Sequence, residues 1–194
     1  MTQPFAITLA SASPRRREIL ATLGLEFSIA AADVDETPLP GEAPHDMVVR
    51  LAVAKAEAIT ADPDAVVIAA DTAVVVDGLS LGKPADRDDC VAMLDALAGR
   101  SHTVHTGVAV RCAEATRTAL STTNVHFRDI SRDEALAYWQ SGEPRDKAGA
   151  YAVQGLGGVF VERIEGSYSG VVGLPVFETA SLLRQVGLDL VTRL

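Results

Sequence analysis

The sequence predicts an α/β fold in which one β-sheet is flanked by helices. Three observations carry that prediction. Short β-capable runs alternate along the chain with amphipathic helical stretches. The 194 residues are 48% hydrophobic, enough to build a core, and the length suits one domain over 1–194. No repeat or low-complexity tract interrupts the alternation.

Phe5 to Ala10 reads as a first strand. Ser13 then supplies an N-cap and Pro14 the first helical position, and Ile19, Leu20 and Leu23 share one face of a helix that stops at Gly24. Phe27 to Ala30 predicts a second strand, leading into the acidic loop Asp33, Val34, Asp35, Glu36. From about Pro44 to Ala61, Met47, Val48, Leu51, Ala54, Ala58 and Ile59 form the apolar stripe of a helix whose basic members are Arg50 and Lys55. Val66 to Ala70 is a continuous apolar run of the fully buried kind and predicts a strand that ends in Asp71. Val74 to Val76 and Leu79 to Leu81, joined by Asp77-Gly78, predict a hairpin with a two-residue turn.

Asp86, Asp88 and Asp89 place carboxylates at the start of the next helix, which carries Val91, Met93, Leu94 and Leu97 and stops at Gly99. Two β-rich runs, about Thr103 to Arg111 and Leu120 to Phe127, are expected to pair antiparallel across a turn-length polar piece. Ser131 and Glu134 make a capping box for a helix through Tyr138 and Trp139, stopped by Gly142 and Pro144. A glycine-rich stretch from Asp146 to Gly158 precedes a strand, Val159 to Ile164. Gly173-Leu174-Pro175 leads into a last helix, Val176 to Val186, with Gly187 as its stop.

Charge narrows the function classes. Seventeen Lys+Arg against 26 Asp+Glu leave a net charge of −9, the wrong sign for gripping nucleic acid through the general surface field. An anionic ligand would need a local reversal, and Arg15-Arg16-Arg17 supplies one. Cys90 and Cys112 form no C-x-x-C and are too few for a disulfide scaffold, which points to the cytoplasm. The longest apolar run, Ala65 to Val76, is interrupted by Asp71-Thr72 and falls short of the ~18 residues of a membrane span, so no membrane partner is expected. In a secretory leader positive charge precedes the apolar stretch; here Phe5 to Ala10 comes before the arginines and reads as a strand.

Four groups of residues are candidates for chemistry. Ser11, Ser13, Arg15, Arg16 and Arg17 gather hydroxyls and guanidinium groups at a helix N-terminus, whose free N–H groups favour phosphate; a capped helix with solvated arginines is the alternative. Arginine in the first turn opposes the helix dipole at about 0.3–1 kcal/mol each, which an anion would offset. Asp71, followed by Thr72 at the end of a buried strand, is placed either to hold a divalent cation and orient a water or to cap a turn. Asp33, Asp35 and Glu36 offer oxygen ligands suited to magnesium or manganese, or are simply solvated. Lys55, Lys83 and Lys147, the only lysines in the chain, read singly as surface charges, and together with the arginines as the surround of a triphosphate. His45, His102, His105 and His126 show no zinc spacing, and no Walker, G-x-S-x-G or nicotinamide fingerprint is present.

Taken together, Leu9-Ala-Ser-Ala-Ser-Pro-Arg-Arg-Arg-Glu-Ile-Leu20, Ala70-Asp-Thr72, Leu81-Gly-Lys-Pro84, Asp146-Lys-Ala-Gly-Ala-Tyr-Ala-Val-Gln-Gly155, Gly166-Ser-Tyr168 and Val172-Gly-Leu-Pro175 resemble the Maf family of nucleoside triphosphate pyrophosphatases. The likeness spans nearly the whole chain, with the motifs in family order. It implies an elongated α/β fold related to inosine triphosphatases, with a curved mixed sheet and a cleft between two lobes. It implies metal-dependent hydrolysis, with Mg2+ or Mn2+, of a nucleoside triphosphate to the monophosphate and pyrophosphate.

Within the family, Asp146 to Gly155 is similar to the branch acting on dTTP and UTP; the branch acting on 7-methyl-GTP differs there. Position by position, the resemblance makes Asp71 the catalytic acid and associates Arg15, Thr72 and Gln154 with substrate choice. It makes Ser11, Arg16, Glu36, Lys55, Lys83 and Lys147 further cleft residues; as a mechanism, we expect Asp71 with Glu36 to hold the metal and Lys55 and Lys83 to act with Asp71 in catalysis. It assigns no role to Ser13 or Arg17. Homodimerisation is a family expectation. The rival it carries is a nucleotide-binding regulator of septum formation and cell division without turnover, and a phosphatase releasing orthophosphate is a third reading.

Overall fold

In the computed structural model, which describes residues 5–62 and 64–192, strands β1 (Ile7–Leu9), β2 (Ser28–Ile29), β3 (Val66–Val76), β4 (Leu79–Leu81), β5 (Ser101–Cys112), β6 (Ala115–Phe127) and β7 (Val161–Glu165) form one mixed sheet. Its order is β2-β1-β3-β5-β6-β7, with β4 paired to β3. The β1 pairs with β2 and β3 are parallel and all others antiparallel, giving the mixed α/β sheet expected.

The helices are α1 (Pro14–Thr22), α2 (Pro44–Glu57), α3 (Arg87–Leu97), α4 (Arg132–Gln140), α5 (Tyr168–Val172) and α6 (Val176–Gln185). Their starts follow local chemistry. The Ser13 hydroxyl accepts from the Arg16 N–H to begin α1, Asp86 accepts from the N–H groups of Asp88 and Asp89 to begin α3, and Ser131 with Glu134 completes both bonds of the capping box of α4. The short α5 is an addition to the predicted elements; Ser167 caps it by accepting from the Gly170 N–H.

One strand departs from its expected length. β3 does not stop at Asp71: it runs unbroken to Val76, because Val66 through Val75 all pair with β5 and the backbone has a partner throughout. The break lies on the opposite edge. There β1 pairs only with Val66 to Ile68, and β4 only with Val74 to Val76, so the ladder passes from a parallel neighbour to an antiparallel one across Asp71 and Thr72.

Both side-chain rows of β3 change character at the same height. On one face Ile68 and Ala70 join a cluster with Leu20, Leu182 and Leu183, while Val74 and Val76 join another with Leu94, Phe127 and Tyr151; Thr72 lies between the two in the row. On the other face Val67 and Ala69 pack with Ala52 and Ala56, and Ala73 and Val75 with Val48; Asp71 stands between them. α2 crosses this second face closely because Gly107 of β5 has no side chain: a Cβ there would stand 2.6 Å from the carbonyl carbon of Val48.

Further boundaries shift for similar reasons. β5 and β6 extend to a two-residue turn, since Cys112 pairs with Ala115, and the outer part of β6 is largely exposed, so its sequence reads as a polar piece. α2 ends at Glu57 and not near Ala61, and 156–160 form a 3-10 turn, so β7 begins at Val161.

Candidate active site

The gap along β3 opens into a cleft of about 430 Å³. Its lining comes from the β1–α1 loop, the acidic loop after β2, α2, the middle of β3, the segment after β4, and residues of the 146–154 and 171–173 segments. Ser11, Arg15, Arg16, Glu36, Lys55, Asp71, Thr72, Lys83, Lys147 and Gln154 all lie on it, as does Ser13. Asp33, Asp35 and Arg17 do not: Asp35 accepts from the Thr37 N–H at 2.9 Å within its own loop.

Asp71 is buried, and its Oδ1 accepts from the Lys55 Nζ at 2.6 Å. The same nitrogen lies 2.6 Å from Oε1 of Glu36. One ammonium therefore joins two carboxylates in different settings. Burial pushes the Asp71 carboxyl above the ordinary aspartate range despite Lys55, whereas the hydrogen bond from Lys55 holds the more exposed Glu36 below the ordinary glutamate range. Environments that drive two acids apart in this way suit a proton-handling pair. Among the described residues no group of three or more His, Cys, Asp or Glu is arranged to hold a metal; the acids on the cleft lining are Glu36, Asp71 and Asp146.

Across β3 the arrangement is a strut. The half-buried Arg16 donates from Nε to the Gly173 carbonyl at 2.8 Å, from Nη1 to Ser11 Oγ at 3.3 Å and from Nη2 to Thr72 Oγ1 at 3.3 Å. Thr106 donates to the Gly170 carbonyl at 2.8 Å, which leaves its oxygen to accept from the Thr72 hydroxyl at 3.1 Å. Thr72 is thus oriented from both sides. Burial lowers the Arg16 pKa from the usual arginine value, and Asp71 partly offsets this. Among the described residues Arg15, by contrast, has only a long contact to Asp146 at 3.5 Å. Lys147 pairs with the same Asp146 and donates to the Glu143 carbonyl at 3.3 Å, and Lys83 stands exposed on the lining.

Sequence reasoning passes over Asp146 and Thr106. Asp146 sits beside Lys147 in a motif read for its lysine, and its contact with Arg15 spans 131 residues. Thr106 carries no local signal: it is one β-branched residue in a β-rich run, and only the register with Thr72 gives it a role.

A mixed α/β sheet with a cleft at its switch point, walled by hydroxyls, arginines and lysines and floored by a buried aspartate, defines a protein built to handle a polyphosphate ligand. The comparisons are of that kind. The profile described as Maf-like protein matches residues 6–186, and the chain belongs to the Maf family. It is 53% identical over 188 residues to the dTTP/UTP pyrophosphatase of Hahella chejuensis, covering 95% of this chain and 94% of that one. It is 53% identical over 184 residues to the dTTP/UTP pyrophosphatase of Methylobacillus flagellatus, covering 93% and 92%. Among solved structures, the Staphylococcus aureus Ham1 protein is similar over 63% of this chain and 71% of that one, at 16% identity and a TM-score of 0.45, a partial likeness.

Proposed function

We propose that this protein hydrolyses dTTP and UTP to the nucleoside monophosphate and pyrophosphate. The observation that carries the reading is the Asp71–Lys55–Glu36 arrangement at the floor of a cleft whose walls hold the remaining lysines and Arg15. The dTTP/UTP pyrophosphatase activity for which relatives at about half identity are named supports the substrate class.

Glu36 and Asp71 fit a divalent ion. Both carboxylates face the Lys55 ammonium on the cleft lining, and their oxygens are the hard donors that would hold Mg2+ or Mn2+. Bound there, the ion would supply charge neutralisation at the phosphates. No helix of the described residues is long and apolar enough to cross a membrane, and we place the activity in the cytoplasm on the cysteine usage.

Asp71 aligns a water and accepts its proton as the water oxygen bonds to the α-phosphorus and the bond from that phosphorus to the bridging oxygen of pyrophosphate breaks. Arg15, Lys83, Lys147 and the positive end of the α1 dipole take the charge that grows on the leaving pyrophosphate, which Ser11 and Arg16 frame. Gln154, exposed on the rim, has an amide N–H and a carbonyl to match the O4 and N3–H edge of uracil or thymine. A base with the opposite pattern is matched only by turning the amide over, so the orientation in which Gln154 is held decides the choice.

Incubation with each nucleoside triphosphate and magnesium tests this. Pyrophosphate and monophosphate from dTTP and UTP, well ahead of ATP and GTP in kcat/KM, are expected. A purine triphosphate in first place, or orthophosphate as the product, overturns the reading, and binding without turnover would favour the regulator.

A further inference from the structure

Gln154 sits in a segment, 152–157, with little regular structure to hold it, yet two side chains outside the cleft lining pin its backbone. The buried Tyr138 of α4 accepts from the Ala152 N–H at 3.1 Å and donates its hydroxyl to Oε1 of Glu143 at 2.7 Å. Glu143 accepts in turn from the Gly157 N–H on Oε1 and from the Leu156 N–H on Oε2, both at 2.9 Å. The chain is therefore fixed two residues before Gln154 and again two and three residues after it.

The glycines of this segment record how close the support lies. A Cβ on Gly155 would stand 2.6 Å from Cδ of Glu143, and one on Gly157 would stand 2.5 Å from the Tyr138 hydroxyl. Burial would raise the Glu143 pKa, but the Gly157, Tyr138 and Leu156 donors outweigh it and hold the carboxyl below the ordinary glutamate range. The group is an ionised acceptor, the state that three converging donors require.

We infer that Tyr138 and Glu143 are positioning residues for base selection, setting through the 152–157 backbone where the Gln154 amide meets the nucleobase. This rests on the assignment of Gln154 to the base in the proposed function. A role in folding alone would lower stability and would lower kcat/KM for every triphosphate by a similar factor. Positioning of the amide instead changes the ratio between bases and leaves the phosphate end of the cleft as it was.

The test measures kcat/KM for dTTP and GTP in the wild type, Glu143→Gln, Tyr138→Phe and Gln154→Ala, with inhibition by inorganic tripolyphosphate, which has no base, measured alongside. Glu143→Gln keeps shape but turns an N–H donor toward a backbone N–H, and Tyr138→Phe removes one oxygen. The dTTP-to-GTP ratio is expected to fall about tenfold or more in both, the worth of one lost hydrogen bond at a recognition site, with tripolyphosphate inhibition within about twofold of wild type. Should Glu143→Gln not fold, Tyr138→Phe carries the same comparison. An unchanged ratio in these variants, while Gln154→Ala lowers it, overturns the inference and leaves the Gln154 assignment standing. An unchanged ratio in Gln154→Ala removes that assignment and the inference with it.

Discussion

Lys55 lays its ammonium 2.6 Å from the carboxylate of Asp71, and the pair is the buried centre of the cleft. The contact joins the last turn of α2 to the middle of β3, 16 residues apart, at the height where both apolar rows of the strand are interrupted. Without a partner, a charge at either position would be strongly unfavourable, so the site exists because each group offsets the burial of the other.

Asp71→Asn keeps the shape of the side chain and removes the proton acceptor. kcat for dTTP should fall at least about 100-fold, within the range for a lost general base, with far-ultraviolet circular dichroism unchanged. Retention of more than roughly a tenth of wild-type kcat in a folded variant would count against the role.

The two arginines of the β1–α1 loop should separate into different phenotypes. Arg15→Ala removes an exposed pairing of little worth, so Tm should stay within a few degrees while KM for the triphosphate rises about tenfold. Arg16→Lys cannot serve Gly173, Ser11 and Thr72 at once, and should lower both kcat/KM and stability, the latter by about 1–3 kcal/mol. Steady-state kinetics and thermal melts on the two variants read this out, and equal melts would remove the strut from the description of Arg16.

Gly107→Ala tests the coupling between packing and site. Its methyl group would press on the Val48 carbonyl and lift α2 from the sheet, costing about 1–3 kcal/mol of stability. Because α2 carries Lys55, kcat should fall as well, although residue 107 lies outside the cleft lining. Urea unfolding together with kinetics checks both.

His102 makes acid stability a readout of the core behind Tyr151. Its Nε2 lies 2.8 Å from the Tyr151 hydroxyl, its buried Nδ1 has no partner among the described residues, and burial with a contribution from His126 holds the imidazole down at about 4, against the ordinary histidine value of 6.5. Between those values the unfolded chain binds the extra proton, so stability must fall as pH drops from 6.5 to about 4, by up to about 3 kcal/mol. In His102→Leu that slope should flatten; an equal slope in urea unfolding at pH values of about 4.5 and 7 would place the acid sensitivity elsewhere.

How much of this was legible in the sequence depends on the range of each interaction. Ser13 and Pro14, the Ser131–Glu134 box and the Asp77-Gly78 turn, with φ of 51° and 77°, act within four residues and are readable. The end of β3 is misplaced at Asp71 because a polar pair inside an apolar run looks like a terminus, and only the register with β5 shows that the strand continues. Residue types for the cleft can be picked out, but not their division of labour. That Arg16 is a strut while Arg15 faces the cleft, that Lys55 bridges Glu36 and Asp71, and that Glu143 holds the backbone around Gln154 are facts of tertiary distance.

The most direct test of the account is the position of oxygen transfer. Hydrolysis of dTTP by the wild-type protein with magnesium in 18O-labelled water, followed by mass spectrometry of both products, shows which phosphorus the water attacks. Label in dTMP and none in pyrophosphate is the predicted result. Label in pyrophosphate, or in orthophosphate, would contradict attack at the α-phosphorus and with it the placement of Asp71 beside that atom.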